Sequence, residues 1–278
     1  MKLQAILPLV TYPDCNSDAV AVNAVGIAKW LGTDLHVVAF NADIPDVSNV
    51  LSRFLLKLPE LIKEAEAVSR GRGERLLGLV TEQAASHAVD VATSVSTAAL
   101  ALLGNAAASE ARYFDFVLLG WEAGNPTSRA TAEAIVFGSG RPAILLPELT
   151  TVTSIDHVAV AWDGSRVAAR ALADATPLLE RAANVSVMTV LGEKPLERDD
   201  IAERLASGLS KRGIAAEALA ISCEDCPIGI TLQERAIERG ATMLVMGGHG
   251  HSRVRDFVLG GATEDVLNDL RLPVLLSH

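Results

Sequence analysis

Residues 244–263 read LVMGGHGHSRVRDFVLGGAT, with glycines spaced as a phosphate-holding loop would need them. Gly247 ends an apolar run from Met243 to Met246, Gly250 follows after two residues, and the pair Gly260-Gly261 after nine more. Val266, Leu267 and Leu270 then recur at helical spacing. A buried strand, a glycine loop and a helix start, in that order, can cradle an anion. Glycine lets the backbone approach without a Cβ in the way. A helix N-terminus adds unpaired N–H donors and a partial positive charge. Arg253 or Arg255 could neutralise a phosphate, and equally could be an ordinary surface arginine beside Asp256. His249 and His251 stand two apart with no third ligand evident, so no zinc site is expected.

Other reactive patterns are sparse. Cys223-Glu-Asp-Cys226 is a C-x-x-C without the second pair that a metal site would want, so these are expected to be loop cysteines. The chain has no G-x-x-x-x-G-K-[ST], no G-x-S-x-G and no H-E-x-x-H, so Walker-type, serine-elbow and zincin chemistry lack their residues. Asp163-Gly-Ser-Arg-Val, after an apolar run, is not the Ser-Gly-Gly-rich loop of an ATP pyrophosphatase. Asp163 itself suits either a helix-start turn or a ligand contact. The indole of Trp162 adjoins it and could report binding by fluorescence.

The elements that would position these residues alternate. In the second half, strands are expected at 157–162, 184–191, 216–221, 242–246 and 273–277. Helices are expected at 166–181, 198–212, 230–239 and 263–270, with Gly213 and Gly240 as stops. The first half repeats the order: strands at 3–10, 34–40, 88–94, 114–119 and 142–146, helices at 17–31, 97–112 and 127–137. A long helical stretch, about 47–86, is broken near Pro59. Such alternation specifies a parallel sheet with helices on both faces. Arg141-Pro-Ala-Ile-Leu-Leu-Pro and Arg271-Leu-Pro-Val-Leu-Leu-Ser match best, and residues 147–154 form the joint. The chain reads as an internal duplication.

The copies differ at the loop. Gly247 to Pro273 spans 26 positions and Gly120 to Pro142 only 22. Counted back from the two prolines, Arg129-Ala130 falls where the second half has Gly260-Gly261, and Glu122 brings negative charge near a would-be phosphate. The first half is expected to be degenerate.

Composition sets the bounds. The 278 residues suit two units of about 140, half of them hydrophobic and few aromatic. Net charge is −10, divided evenly between the halves, which argues against nucleic-acid or anionic-membrane partners. No apolar run approaches the roughly 20 residues of a membrane span. The opening residues lack the apolar core of a signal peptide, so a cytoplasmic setting is expected.

The Gly247-x2-Gly250-x9-Gly260 spacing resembles the nucleotide loop of the universal stress protein family. So does the wording Ala161-Trp-Asp-Gly-Ser-Arg, Leu244-Val-Met-Gly, Gly250-His-Ser-Arg and Leu272-Pro-Val-Leu-Leu-Ser-His, as in bacterial tandem members. The likeness covers 155–278 closely, and 1–147 through element order and the last strand. It implies two tandem Rossmann-like domains of the adenine nucleotide alpha hydrolase type, 1–147 and 155–278. Each would carry a five-stranded parallel sheet, and the two would pack as a pseudo-dimer through their final strands, with a homodimer beyond that open. It further implies bound ATP or AMP, with or without Mg, in the second domain.

Carried over by position, Asp163 would face the adenosine and Val190 the base, with Ala161, Trp162 and Met246 on the same segments. Gly247 and Gly250 would pass under ribose and phosphate, and Gly260, Gly261 and Ala262 would offer backbone N–H groups to the phosphates; Thr263 and Arg253 are counted with the site from their places in the loop. Family members usually place Ser or Thr where Gly261 stands, so one hydroxyl donor is missing unless Thr263 replaces it. The expected function is stress signalling or partner binding set by an adenine nucleotide. The alternatives are an interaction protein with a purely structural loop, and a slow adenylate hydrolase.

Overall fold

The computed structural model describes residues 2–45, 58–192, 198–222, 226–248 and 260–278. In chain order the first half forms β1 (Gln4–Val10), α1 (Ala19–Leu31), β2 (Asp34–Asp43), α2 (Leu58–His87), β3 (Val91–Ala99), α3 (Leu103–Ala111), β4 (Phe116–Trp121), α4 (Pro126–Gly138) and β5 (Ala143–Pro147). The second half forms β6 (His157–Ala161), α5 (Arg166–Asp174), α6 (Thr176–Leu179), β7 (Asn184–Leu191), α7 (Ile201–Lys211), β8 (Ala216–Ser222), α8 (Ile228–Glu238), β9 (Met243–Gly247), α9 (Gly261–Asn268) and β10 (Val274–Ser277).

All ten strands join one sheet in the order β3-β2-β1-β4-β5-β10-β9-β6-β7-β8. Each half contributes five parallel strands. The seam between β5 and β10 is antiparallel, with Leu145, Ile144 and Ala143 opposite Val274, Leu275 and Leu276. Antiparallel pairing of equivalent strands relates the halves by a pseudo-twofold axis and buries two edges that would otherwise be open to pairing.

The period of two along each strand divides the interior into two layers. Ala5, Leu7 and Leu9 of β1 meet α1 and α2, and the same layer continues under α5 and α7. Ile6 points the other way, into the layer covered by α3, α4, α8 and α9. Both layers run through both halves. The inner strands are therefore apolar on both faces, as parallel strands covered on two sides must be.

Two of the differences from the pattern reading have a clear physical cause. The segment expected to be helical over 97–112 stays extended through Ala99, because Thr97, Ala98 and Ala99 pair with Asn41, Ala42 and Asp43 of a longer β2. The helix expected over 166–181 divides at Ala175, since Pro177 has no N–H to continue the ladder. The first part of the long stretch near 47–86 lies outside the described residues, and α2 begins at Leu58 with Pro59 in its first turn.

The joint is packed. Asn23 of α1 is buried; its Nδ2 donates to the carbonyls of Pro147 (2.8 Å) and Thr150 (2.9 Å), and its Oδ1 accepts from Val152 N. No helix among the described residues is long and apolar enough to cross a membrane.

Candidate functional site

At the carboxyl ends of β6, β7 and β9 the second half opens into a cleft of about 320 Å³. Helices on opposite faces leave the sheet there: α5 departs on one side while α8 and α9 pack on the other. That divergence leaves the crevice in which doubly wound sheets bind ligands. Ala161 lines it from β6, Trp162 from the position just after that strand, Val190 from β7, and Met246 and Gly247 from β9. Asp163 stands at its rim. Gly260, Gly261, Ala262 and Thr263 form the far wall. Of the residues expected at the site, these ten share the cleft; Gly250 and Arg253 lie outside the described residues, as do His249, His251, Arg255, Asp256 and Cys223.

Local physics sets each position. Asp163 Oδ1 accepts from Ser165 N (2.9 Å), and Ser165 is the N-cap of α5, its Oγ accepting from Ala168 N (3.2 Å). The aspartate thus closes the turn between strand and helix while facing the cleft. Trp162 is fixed by its backbone, N–H to Met188 O (2.8 Å) and carbonyl from Thr189 Oγ1 (2.8 Å). Gly247 is required by packing. A Cβ there would lie 2.6 Å from Val167 C and 2.8 Å from Ala168 N, so its missing side chain lets α5 approach β9. Gly261 is the opposite case, since a Cβ there would meet nothing within 4 Å among the described residues.

Pattern reading missed six lining residues. Met188 lies two before Val190 on the same strand face, so the strand period could have found it. Ser165, Val167 and Ala168 belong to the first turn of α5. Ile228 and Leu232, one turn apart on α8, complete an apolar wall that only tertiary packing brings to the cleft. The lining mixes apolar side chains (Met188, Val190, Ile228, Leu232) with polar ones (Asp163, Ser165, Thr263), and the residues that carry the first N–H groups of α9 stand at one end. Gly260, the N-cap of α9, has no side chain to satisfy them, and its φ of −69° is open to any residue. An absent side chain, not an unusual backbone, distinguishes this helix start. Among the described residues no cluster of His, Cys, Asp and Glu could hold a metal.

The universal stress protein family model matches residues 154–278. This half of the chain belongs to that family. Solved structures extend the likeness in fold to the whole chain. A universal stress protein from Archaeoglobus fulgidus is 18% identical with a TM-score of 0.67, over 98% of this chain and 97% of its own. One from Pseudomonas aeruginosa is 14% identical with a TM-score of 0.55, over 99% and 93%. No curated protein sequence matches the chain significantly.

The half preceding the universal stress protein domain has the same layout, with the corresponding helix start capped. Asn125, the N-cap of α4, accepts from Thr127 N (3.0 Å) and Ser128 N (3.1 Å). Glu122 is buried beside it. Its carboxylate accepts from Asn16 Nδ2 (3.1 Å to each oxygen), Ser17 N (3.0 Å) and Ser128 Oγ (2.6 Å). A built-in carboxylate thus takes the donors of the first half.

Two first-half residues cross the seam to α9. Trp121 Nε1 donates to Leu267 O (2.9 Å), a carbonyl in the last turn that has no partner within its own helix. Arg129 grips both oxygens of Glu264 and also bonds Glu133 (3.0 Å). The guanidinium of Arg129 holds the Glu264 carboxyl below its usual 4.5, by its hydrogen bond foremost. A depressed carboxyl contributes stability above its unfolded value and loses it as the pH falls through the folded one. The urea-midpoint gap between wild type and Glu264→Gln should therefore be full near pH 7 and shrink below about pH 4.5. A gap unchanged down to about pH 3 would show that the pair contributes nothing.

Proposed function

We propose that the universal stress protein domain binds one adenine nucleotide, ATP or AMP, in this cleft, and that the bound state sets which surface the protein shows to a partner in a stress response. One observation carries the reading: the contrast between the two helix starts. The first half caps α4 with Asn125 and ties down Glu122. The second has no side-chain cap on α9 at Gly260 among the described residues, at the end of a cleft lined by both apolar and polar groups. Such a site suits a ligand with a flat apolar end and an anionic end. A base would lie against Val190, Met188 and Ile228, and Asp163 is placed for a ribose hydroxyl. Phosphate oxygens would accept from the amides of Gly261, Ala262 and Thr263. A nucleotide's Mg would take its oxygen ligands from the phosphates and water, since these amides are N–H donors and offer it none.

The structural-loop reading draws on Gly247, whose missing Cβ makes room for Val167 and Ala168. It also draws on Gly261, which lacks a hydroxyl donor. These observations remove one glycine from the phosphate argument and leave the cleft and the bare helix start as they are.

The test is extraction of nucleotide from the purified protein, with mass spectrometry and a stoichiometry. About one adenylate per chain is expected, since one of two helix starts is open. A protein that comes empty and shows no Trp162 fluorescence change with added ATP or AMP would favour the interaction-protein reading.

A further inference from the structure

The seam is asymmetric at Arg129. Glu133 and Glu264 each stand nine residues before the proline that precedes the last strand of their half, Pro142 and Pro273. They are equivalent acids, one on α4 and one on α9. Arg129 stands thirteen before Pro142, and its equivalent, thirteen before Pro273, is Gly260. A single arginine thus bonds both acids, and the second copy has glycine where its own arginine would be.

The consequence is electrostatic. An acid in the first turn of a helix is attracted to the same N–H groups that attract a phosphate. Glu264 occupies that turn, and left alone its charge would oppose an anionic ligand. An arginine at position 260 would neutralise it but would also place a long side chain at the open helix start. Supplying the cation from the other half avoids this. Arg129 takes both Glu264 oxygens from across the seam, while Trp121 holds the opposite end of the same helix at Leu267 O.

We infer that Arg129 is a positioning residue for the second-half cleft: it neutralises Glu264 and fixes the first turn of α9, keeping the Gly261, Ala262 and Thr263 amides available to the anionic end of a ligand. The inference rests on the nucleotide reading above, and it makes the first half a working part of the site.

The experiment is calorimetric titration of the full chain with ATP, AMP and adenosine. Wild type, Arg129→Met, Arg129→Lys and the double variant Arg129→Met/Glu264→Gln are compared. Loss of Arg129 should weaken ATP by roughly five- to tenfold, AMP by less, and adenosine by under about twofold, because only phosphate feels the unmasked acid. Lysine should restore part of the loss. The double variant should restore most of it, since removing the acid removes the need for its partner. A residue that merely holds the fold would lower all three ligands equally, with no recovery in the double variant. That pattern, or an Arg129→Met protein that binds ATP like wild type, overturns the inference alone. A wild-type chain that binds none of the three ligands overturns the nucleotide reading, and the inference with it, before any variant is made.

Discussion

Replacing Glu122 by alanine should destabilise the protein by about 3–5 kcal/mol, a large fraction of the roughly 5–15 kcal/mol that holds a typical domain together. The carboxylate accepts from Asn16, Ser17 and Ser128, and both side-chain donors are almost fully buried. Bonds to a charged acceptor contribute about 1.5–3 kcal/mol each, and an orphaned buried donor costs about 1–3 kcal/mol. The damage would also spread, because Asn16 Oδ1 accepts from Val10 N (2.7 Å) and so secures the end of β1. Glutamine at 122 should cost far less, about 1 kcal/mol. Its oxygen can serve Ser17 and Asn16, while the Ser128 hydroxyl turns to accept from the new amide. Urea midpoints at constant slope measure both values. An alanine variant within about 0.5 kcal/mol of wild type would mean that water replaces the carboxylate freely, and that the first half is not closed by its own acid.

That closure explains how a duplicated fold can hold two unlike halves. Each copy has a glycine at or next to the end of a β-strand, packed against the start of the first helix of its half. Gly120 lies against Val20 and Asn16, and Gly247 against Val167 and Ala168. The backbone constraint is common to both. What differs is what stands at the helix start beyond it: Asn125, Glu122 and Arg129 on one side, Gly260 on the other. The first half satisfies its donors internally and exports a cation across the seam. The second has no such side-chain cap at Gly260 among the described residues.

Most of the architecture was legible because buried parallel strands are apolar runs and covering helices are amphipathic, so the alternation survives in the sequence. Boundaries failed where distant pairing decided them. Nothing local in Thr97-Ala-Ala forbids a helix, and only the three extra residues of β2 draw it into the sheet. At the site, Asp163, Val190, Gly247, Gly260 and Gly261 are legible together because strand ends in such a sheet converge on one crevice. Ile228 and Leu232 are not, since they reach it from α8 through the way that helix packs on α9. Gly247 shows the limit of motif reading. Its spacing suggests room for a ligand, yet the room is filled by the first turn of α5. The pairing of Arg129 with Glu264 joins residues 135 apart, and becomes visible only when the two halves are laid across their pseudo-twofold seam.

Gly229→Ala should be the most damaging addition of a single methyl group, costing about 2–3 kcal/mol. Gly229 is the second residue of α8, and an added Cβ would collide with Ala262 O, come within 2.6 Å of Asp265 Cβ and within 2.8 Å of Val266 N. Two of these are backbone atoms of α9, so no side chain can turn aside and the helices must separate. Gly104 plays the same part between α3 and α4, against Ala134 Cβ and Ala130 O. Separation would also break the bond from Gly229 N to Asp265 Oδ2 (3.2 Å) and draw the bare start of α9 away from Ile228 and Leu232. Stability and ligand binding should therefore fall together. Gly78 in α2 and Gly208 in α7 supply the control, since a Cβ at either meets nothing within 4 Å. Alanine there should instead stabilise by about 0.4–1 kcal/mol, through higher helix propensity and a less disordered unfolded chain. One substitution at three helical glycines is thus expected to change sign with the space around it. If denaturation curves show all three shifting the same way, the close crossing of α8 over α9 does not constrain the domain.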